Sequence, residues 1–186
     1  MSTGNQTGIV LYTLGHSTRS LEEFLSLLSR QGIQTLADIR SLPGSRKFPH
    51  FDRENLERVL PEHGVAYVWL RALGGLRRVR KDFDSPNAGL TSPGFRAYAD
   101  YMASDEFLTG VQELLQIAAG SVTAVMCAEA VYWRCHRRLL SDFLVAHGVE
   151  VLHMLGPKSL QSHRMSQGAM VTPQKTVIYP TVEAST

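Results

Sequence analysis

With 186 residues, 44% of them hydrophobic and 19% charged, the chain has the length and composition of one medium globular domain able to bury a core without staples. A net charge of +2 is too small to argue for a nucleic-acid partner by itself, and no apolar run approaches the roughly 18 residues of a membrane span. Two cysteines form no disulfide framework, and Met1 to Gly8 lacks a basic start or long apolar core; a cytoplasmic protein with reduced thiols and no membrane contact is the expectation.

Ile9 to Leu14 is a β-branched, apolar run ending at Gly15, the first expected strand. Ser20 and Glu23 form a capping box, after which Leu21, Phe24, Leu25 and Leu28 recur at helical spacing until Gly32. Thr35 to Ile39 reads as the second strand. Asp52 is placed to cap the next helix, with Phe51 and Leu56 as a hydrophobic staple and Gly64 as its end. Ala66 to Leu70 is the third strand, and Arg71 to Pro93 a basic, Gly-rich loop carrying Arg77, Arg78, Arg80 and Lys81.

Helical patterning resumes from Phe95 to near Ser104, then through Phe107, Val111, Leu114, Leu115 and Ala118. Val122 to Met126 is the fourth strand, Arg134 to His147 a helix and Glu150 to Leu155 the fifth strand. Beyond Gly156 only Val177 to Tyr179 reads as a small edge strand. The alternation predicts an α/β three-layer sandwich, a mostly parallel five-stranded sheet with helices on both faces. One domain is expected over residues 8–156, with 157–186 as a C-terminal tail packed on it.

In a parallel sheet the loops after each strand share one edge, where ligands bind. That edge collects His16, Ser17, Thr18 and Arg19; Asp38, Arg40, Ser41, Ser45, Arg46 and Lys47; Trp69, Arg71, Gly74 and Gly75; and Cys127 and Glu129. Gly15-His16-Ser17 precedes a helix N-terminus able to hold an anion, or is only a turn. Asp38 and Arg40 alternate onto one face, so that Asp38 either braces Arg40 structurally or aims its planar fork at a phosphate or carboxylate. No dinucleotide fingerprint or Walker loop is present.

Cys127 and Glu129 admit three readings. A thiol-phosphatase loop needs Arg six positions after the Cys, but Trp133 stands there and Arg134 comes one position late. A metal site has candidate ligands in His16, Cys127, Glu129, Cys135 and His136, at spacings that match no standard finger. Alternatively, Glu129 is the reacting carboxylate, its pKa raised beside Tyr132 and Trp133, against the plainer reading of an ion pair with Arg134 or Arg137. Helix phase puts Cys135 toward the core and makes Arg137 the ligand candidate among its neighbours, with Arg138 solvated. The basic loop with Trp69, Phe83, Phe95, Tyr98 and Tyr101 suits phosphates and a stacked base, or is a solvated loop beside core aromatics.

Several ordered segments carry a resemblance: Thr13 to Arg19, Asp38 to Ser41, Leu73-Gly74-Gly75, Asn87-Ala88-Gly89, Gly94 to Met102, Met126 to Glu129 and Arg134 to Arg137. Through them the chain resembles the family called domain of unknown function 488, with Thr18 where the family pattern has Asn. The resemblance implies a Rossmann-like α/β domain and brings no activity with it.

The expected function is that of an enzyme acting on a phosphate-bearing nucleoside or nucleic acid, most concretely an N-glycosidic hydrolase of the base-excision type needing no cofactor. Glu129, His16, Cys127 and Asp38 form the expected catalytic set. Ser17, Arg19, Arg40, Arg46, Trp69, Arg77, Arg78, Tyr98, His136 and Arg137 form the expected binding set. The alternatives are a non-catalytic nucleic-acid or nucleotide-binding module, and a hydrolase holding a divalent metal on His16, Cys127 and Glu129. The oligomeric state is not fixed by the sequence.

Overall fold

A computed structural model describes residues 8–80 and 82–181; the polar stretch Met1 to Thr7, Lys81 of the basic loop and residues 182–186 of the tail lie outside the described residues. Strands and helices follow in the order β1 (Val10–Gly15), α1 (Leu21–Arg30), β2 (Thr35–Asp38), α2 (Arg53–Glu62), β3 (Ala66–Trp69), α3 (Pro93–Tyr101), α4 (Asp105–Gly120), β4 (Thr123–Cys127), α5 (Arg137–Ala146), β5 (Glu150–Gly156) and β6 (Ser159–Ser162). The first five strands run parallel in the order β3-β2-β4-β1-β5, and β6 adds antiparallel to β5. The sheet therefore has six strands rather than the expected five. All four residues of β6 are exposed, so no apolar alternation marked it in the sequence. The small strand expected at the end of the tail instead pairs as β8 (Val177–Ile178) with β7 (Met170–Val171) in a separate ribbon.

Side chains alternate across the sheet and build two cores. Leu14, Leu36, Ala124 and Met126 face α1 and α2, meeting Phe24, Leu28, Leu56 and Leu60. Leu11, Ala37, Val125 and Cys127 face α3, α4 and α5, meeting Tyr98, Phe107, Leu139 and Phe143. A fully buried Leu or Phe of this kind contributes about 1.5–3 kcal/mol, so the two layers fix each strand's register. The helices end as their sequences direct: α1, α2 and α5 each run into a glycine at positive φ, namely Gly32, Gly64 and Gly148. The Ser20–Glu23 capping box forms as expected. Asp52 precedes α2 but turns its carboxylate away from the helix to accept from the Ser45 backbone N–H.

The tail is tied down by a buried polar chain that runs from β1 and β5 through His163, just after β6, and Asp142 of α5 to Tyr179, just after β8. Thr13 Oγ1 lies 2.7 Å from His153 Nδ1, His153 Nε2 lies 2.9 Å from His163 Nδ1, and His163 Nε2 lies 2.8 Å from Asp142 Oδ1. The Tyr179 hydroxyl donates to the other Asp142 oxygen at 2.7 Å. Among the described residues no helix is long and apolar enough to cross a membrane.

Candidate active site at the C-terminal edge of the sheet

β1 and β4 are neighbours at the sheet centre, and their ends are clasped together: His16 N donates to Cys127 O and Ser17 N to Ala128 O. Ser17 takes up a φ of 50°, which brings the chain sharply round into α1. At Gly15 a side chain would collide with the backbone carbonyl of Glu129. These constraints place the residues after both strands at one mouth, a cavity of about 950 Å³. His16, Ser17, Arg40, Cys127, Glu129, Cys135 and His136 line it, with Lys47, Arg134, Phe48 and Phe95 on its walls.

The floor has two halves, one on each side of the sheet edge. On the α1/α2 side, the Arg40 guanidinium grips Asp38 through Nε at 2.9 and 3.0 Å and through Nη2, and also donates to Phe51 O at 2.8 Å. Burial lowers the Arg40 pKa, but the Asp38 carboxylate outweighs it and the net shift is upward. The Tyr67 hydroxyl donates to Asp38 at 2.7 Å, so this carboxylate is fully occupied behind Arg40 and does not line the cavity. His16 stacks on Phe51 with ring centroids 4.4 Å apart. Burial, then the Arg40 charge, pushes its pKa down to about 4, leaving a neutral imidazole at neutral pH.

On the α3/α5 side, Cys127, Cys135 and His136 present their ligating atoms within 4.8 Å of one another. His136 Nδ1 lies 3.5 Å from Cys135 Sγ and 3.9 Å from Cys127 Sγ. Both cysteines are free and buried. The Cys135 thiol is held below the usual thiol range, first by the neighbouring Cys127 thiol and then by His136 and Arg137. Cys127 moves up, as the member that keeps the proton. The asymmetry follows from position: Cys135 is nearer the imidazole, and the Arg137 backbone N–H at the start of α5 donates to its sulfur at 3.5 Å. Cys135 is thus buried in the core cluster, as its place in the sequence suggested, and also lines the cavity, with its sulfur beside the imidazole.

Other expected positions fall differently. Glu129 is exposed at the mouth rather than packed into apolar surroundings, and among the described residues its carboxylate takes part in no ion pair. Arg137 is buried and spends Nη2 on the Glu129 carbonyl, while Arg134 is the exposed arginine at the cavity. The reason is a short 3-10 turn, Tyr132–Arg134, followed by Cys135 in extended backbone (φ −132°, ψ 153°), which delays α5 and resets its phase. Arg138 is half-buried, its guanidinium 5.0 Å from the Phe95 ring centre. Arg19 is half-buried and bonds the backbone carbonyls of Gly15 and Leu155. Trp69 donates to Arg40 O at 2.9 Å from outside the cavity. Arg77 lies over Tyr101 at 3.5 Å and Tyr98 is a core residue bonded to Leu73 O, while Arg46 and Arg78 are exposed beyond the cavity lining. Of the metal-ligand candidates, the structure groups Cys127, Cys135 and His136 and leaves His16 and Glu129 outside that group.

Residues 20–144 match the model of a family described as a domain of unknown function, DUF488. No curated protein and no solved structure matches the chain.

Proposed function

The chain belongs to the DUF488 family, and from the cavity that this domain carries we propose that it is a hydrolase acting on a phosphate-bearing, nucleotide-like substrate. The observation that carries the reading is the chemistry of the cavity lining. Phe48 and Phe95 offer rings to a planar base, Lys47 and Arg134 offer exposed cations to phosphate, and Glu129 stands at the same mouth. Ser17, Ser41 and Ser45 add hydroxyls to the same lining. A volume of about 950 Å³ lies at the upper end of small-molecule sites and accommodates a nucleotide or one nucleotide flipped from a strand.

Hydrolysis of an N-glycosidic bond is the concrete form of the reading. Glu129 takes a proton from water or steadies the developing oxocarbenium centre, and Arg40, fixed by Asp38, faces the cavity beside neutral His16 as a donor to sugar or phosphate oxygens. The test is base release from nucleotides, nucleosides and modified oligonucleotides, with Glu129→Gln as control. The expected result is a fall in kcat of about 100-fold or more with KM little changed. Equal turnover by wild type and variant removes Glu129 from the chemistry; binding without turnover in both makes the domain a nucleotide-binding module.

A further inference from the structure

We propose that Cys127, Cys135 and His136 form a zinc site whose fourth position opens into the cavity. The donor set is two cysteine sulfurs, thiolates once metal displaces their protons, and one imidazole, the soft S/N combination that selects zinc over magnesium or calcium. Zn–S bonds of about 2.3 Å and Zn–N bonds of about 2.05 Å at tetrahedral angles put sulfur and nitrogen roughly 3.6 Å apart. The two observed sulfur–nitrogen separations, 3.5 and 3.9 Å, bracket that value. Among the described residues no fourth His, Cys, Asp or Glu joins the group, and all three residues line the cavity. Three protein ligands with an open position is the pattern of catalytic rather than structural zinc.

The packing around His136 fixes which ring nitrogen faces the sulfurs. Its Nε2 is buried with no hydrogen-bond partner, a state that costs about 1–3 kcal/mol for an ordinary core histidine. Tyr98 meets the ring edge-on at 5.0 Å and the Gly75 backbone presses against it. The surroundings thus aim Nδ1 at the two sulfurs at the expense of the other nitrogen. A metal on Nδ1 uses the nitrogen that faces the two sulfurs and puts the ring proton on Nε2.

The metal site stands on this donor geometry; its use in catalysis rests on the hydrolase reading above. In that use a zinc-bound water gives its proton to Glu129, which lines the same cavity two residues after Cys127. The resulting hydroxide forms the new bond to the electrophilic carbon as the bond to the leaving group breaks. Glu129 then returns the proton to the leaving group.

The test loads the full chain with Zn2+ or Co2+ under reducing conditions, desalts it, and measures metal per chain together with the absorption of the cobalt form. One metal per chain is expected, with thiolate-to-cobalt charge transfer, tetrahedral ligand-field bands and a water ligand that azide or cyanide displaces. Cys135→Ser and His136→Asn should each weaken binding beyond the roughly 10–100-fold typical of outer-shell changes, whereas Glu129→Gln should bind metal as wild type does. Cobalt spectra of the wild type decide the matter even where a variant fails to fold. Absence of stoichiometric metal, or cobalt bound without thiolate charge transfer, overturns the site whatever the base-release assay gives. A closed four-ligand spectrum that azide and cyanide leave unchanged overturns the open position. Metal bound as expected, with no nucleotide turned over, upholds the site and counts against the nucleotide reading alone.

Discussion

Gly75 lies so close to His136 that a Cβ built on it would come within 2.3 Å of the imidazole Nδ1. The glycine is required by this approach and not by its backbone, since its φ is not among the positive ones. Gly75→Ala is therefore expected to fold but to turn the His136 ring away from the two sulfurs. Zinc retention should fall by about 10-fold or more while Tm changes by only a few degrees, as expected for about 1 kcal/mol in a chain of this size. Metal titration and thermal unfolding of the same sample check both halves.

Gly15→Ala should behave in the opposite way. Its Cβ would lie 1.6 Å from the Glu129 carbonyl oxygen, and backbone cannot rotate aside as a side chain can. A loss of about 3 kcal/mol or more is expected. Urea unfolding measures it; a loss below about 1 kcal/mol would mean that the loop after β4 yields easily.

Asp38→Ala leaves the buried Arg40 guanidinium without its counter-charge and should cost about 3–5 kcal/mol. Adding Arg40→Met to that variant removes the stranded charge. The double variant is then expected to be more stable than Asp38→Ala alone, read as a higher urea midpoint. Equal midpoints would show that the guanidinium finds another partner.

Acid should unfold the chain through two imidazoles. His16 is pushed down to about 4 and His153 to about 3, in both cases first by burial, from about 6.5 in an unfolded chain. Between those values the unfolded chain binds more protons than the folded one, so stability is full above about pH 6.5 and falls as pH drops toward 3. At Asp142 burial acts upward, but hydrogen bonds from His163, Ser166 and Tyr179 outweigh it and hold the carboxyl low, steepening the acid end. His153→Gln is expected to flatten the urea midpoint between pH 6.5 and 4 relative to wild type; an unchanged slope would exclude His153 from the effect.

Arg134 and Arg137 should separate binding from folding. Arg134→Gln, at the exposed mouth, is expected to raise KM for a phosphate-bearing substrate by about 10-fold with Tm unchanged, the value of one charge-assisted contact. Arg137→Gln, which loses a buried contact to Glu129 O, should instead lower Tm. Reversed outcomes would restore Arg137 as the ligand.

The strand-helix order was legible because Leu21, Phe24 and Leu28 or Val122 to Met126 carry their periods openly, and the glycines at 32, 64 and 148 mark where helices stop. The rule that loops after parallel strands share an edge brought His16, Arg40, Cys127 and Glu129 to one cavity. What failed was local phase and long-range pairing. A three-residue turn at 132–134 exchanged the places expected for Arg134 and Arg137, and no hydrophobic pattern announces such a turn. The chain from Thr13 through His153, His163 and Asp142 to Tyr179 joins residues up to 140 positions apart, so each looks ordinary alone. Cys135 read as a small hydrophobe because burial was legible and its neighbours across the sheet edge were not.

The His16, Arg40 and Cys127 parts of the floor grow from the ends of β1, β2 and β4, the three inner strands of the parallel set, whereas residues 41–48 and 75–76 form walls on loops outside the strands. Loops of that kind accept substitution and insertion with little effect on the sheet beneath them. Selection for a new guest can thus act on the walls while the reacting groups stay fixed, and diversification of substrate without loss of reactivity is what this layout makes cheap. Altering the reaction itself is a different matter, because His16, Arg40 and Cys127 sit at or just past the ends of strands whose pairing holds the sheet together.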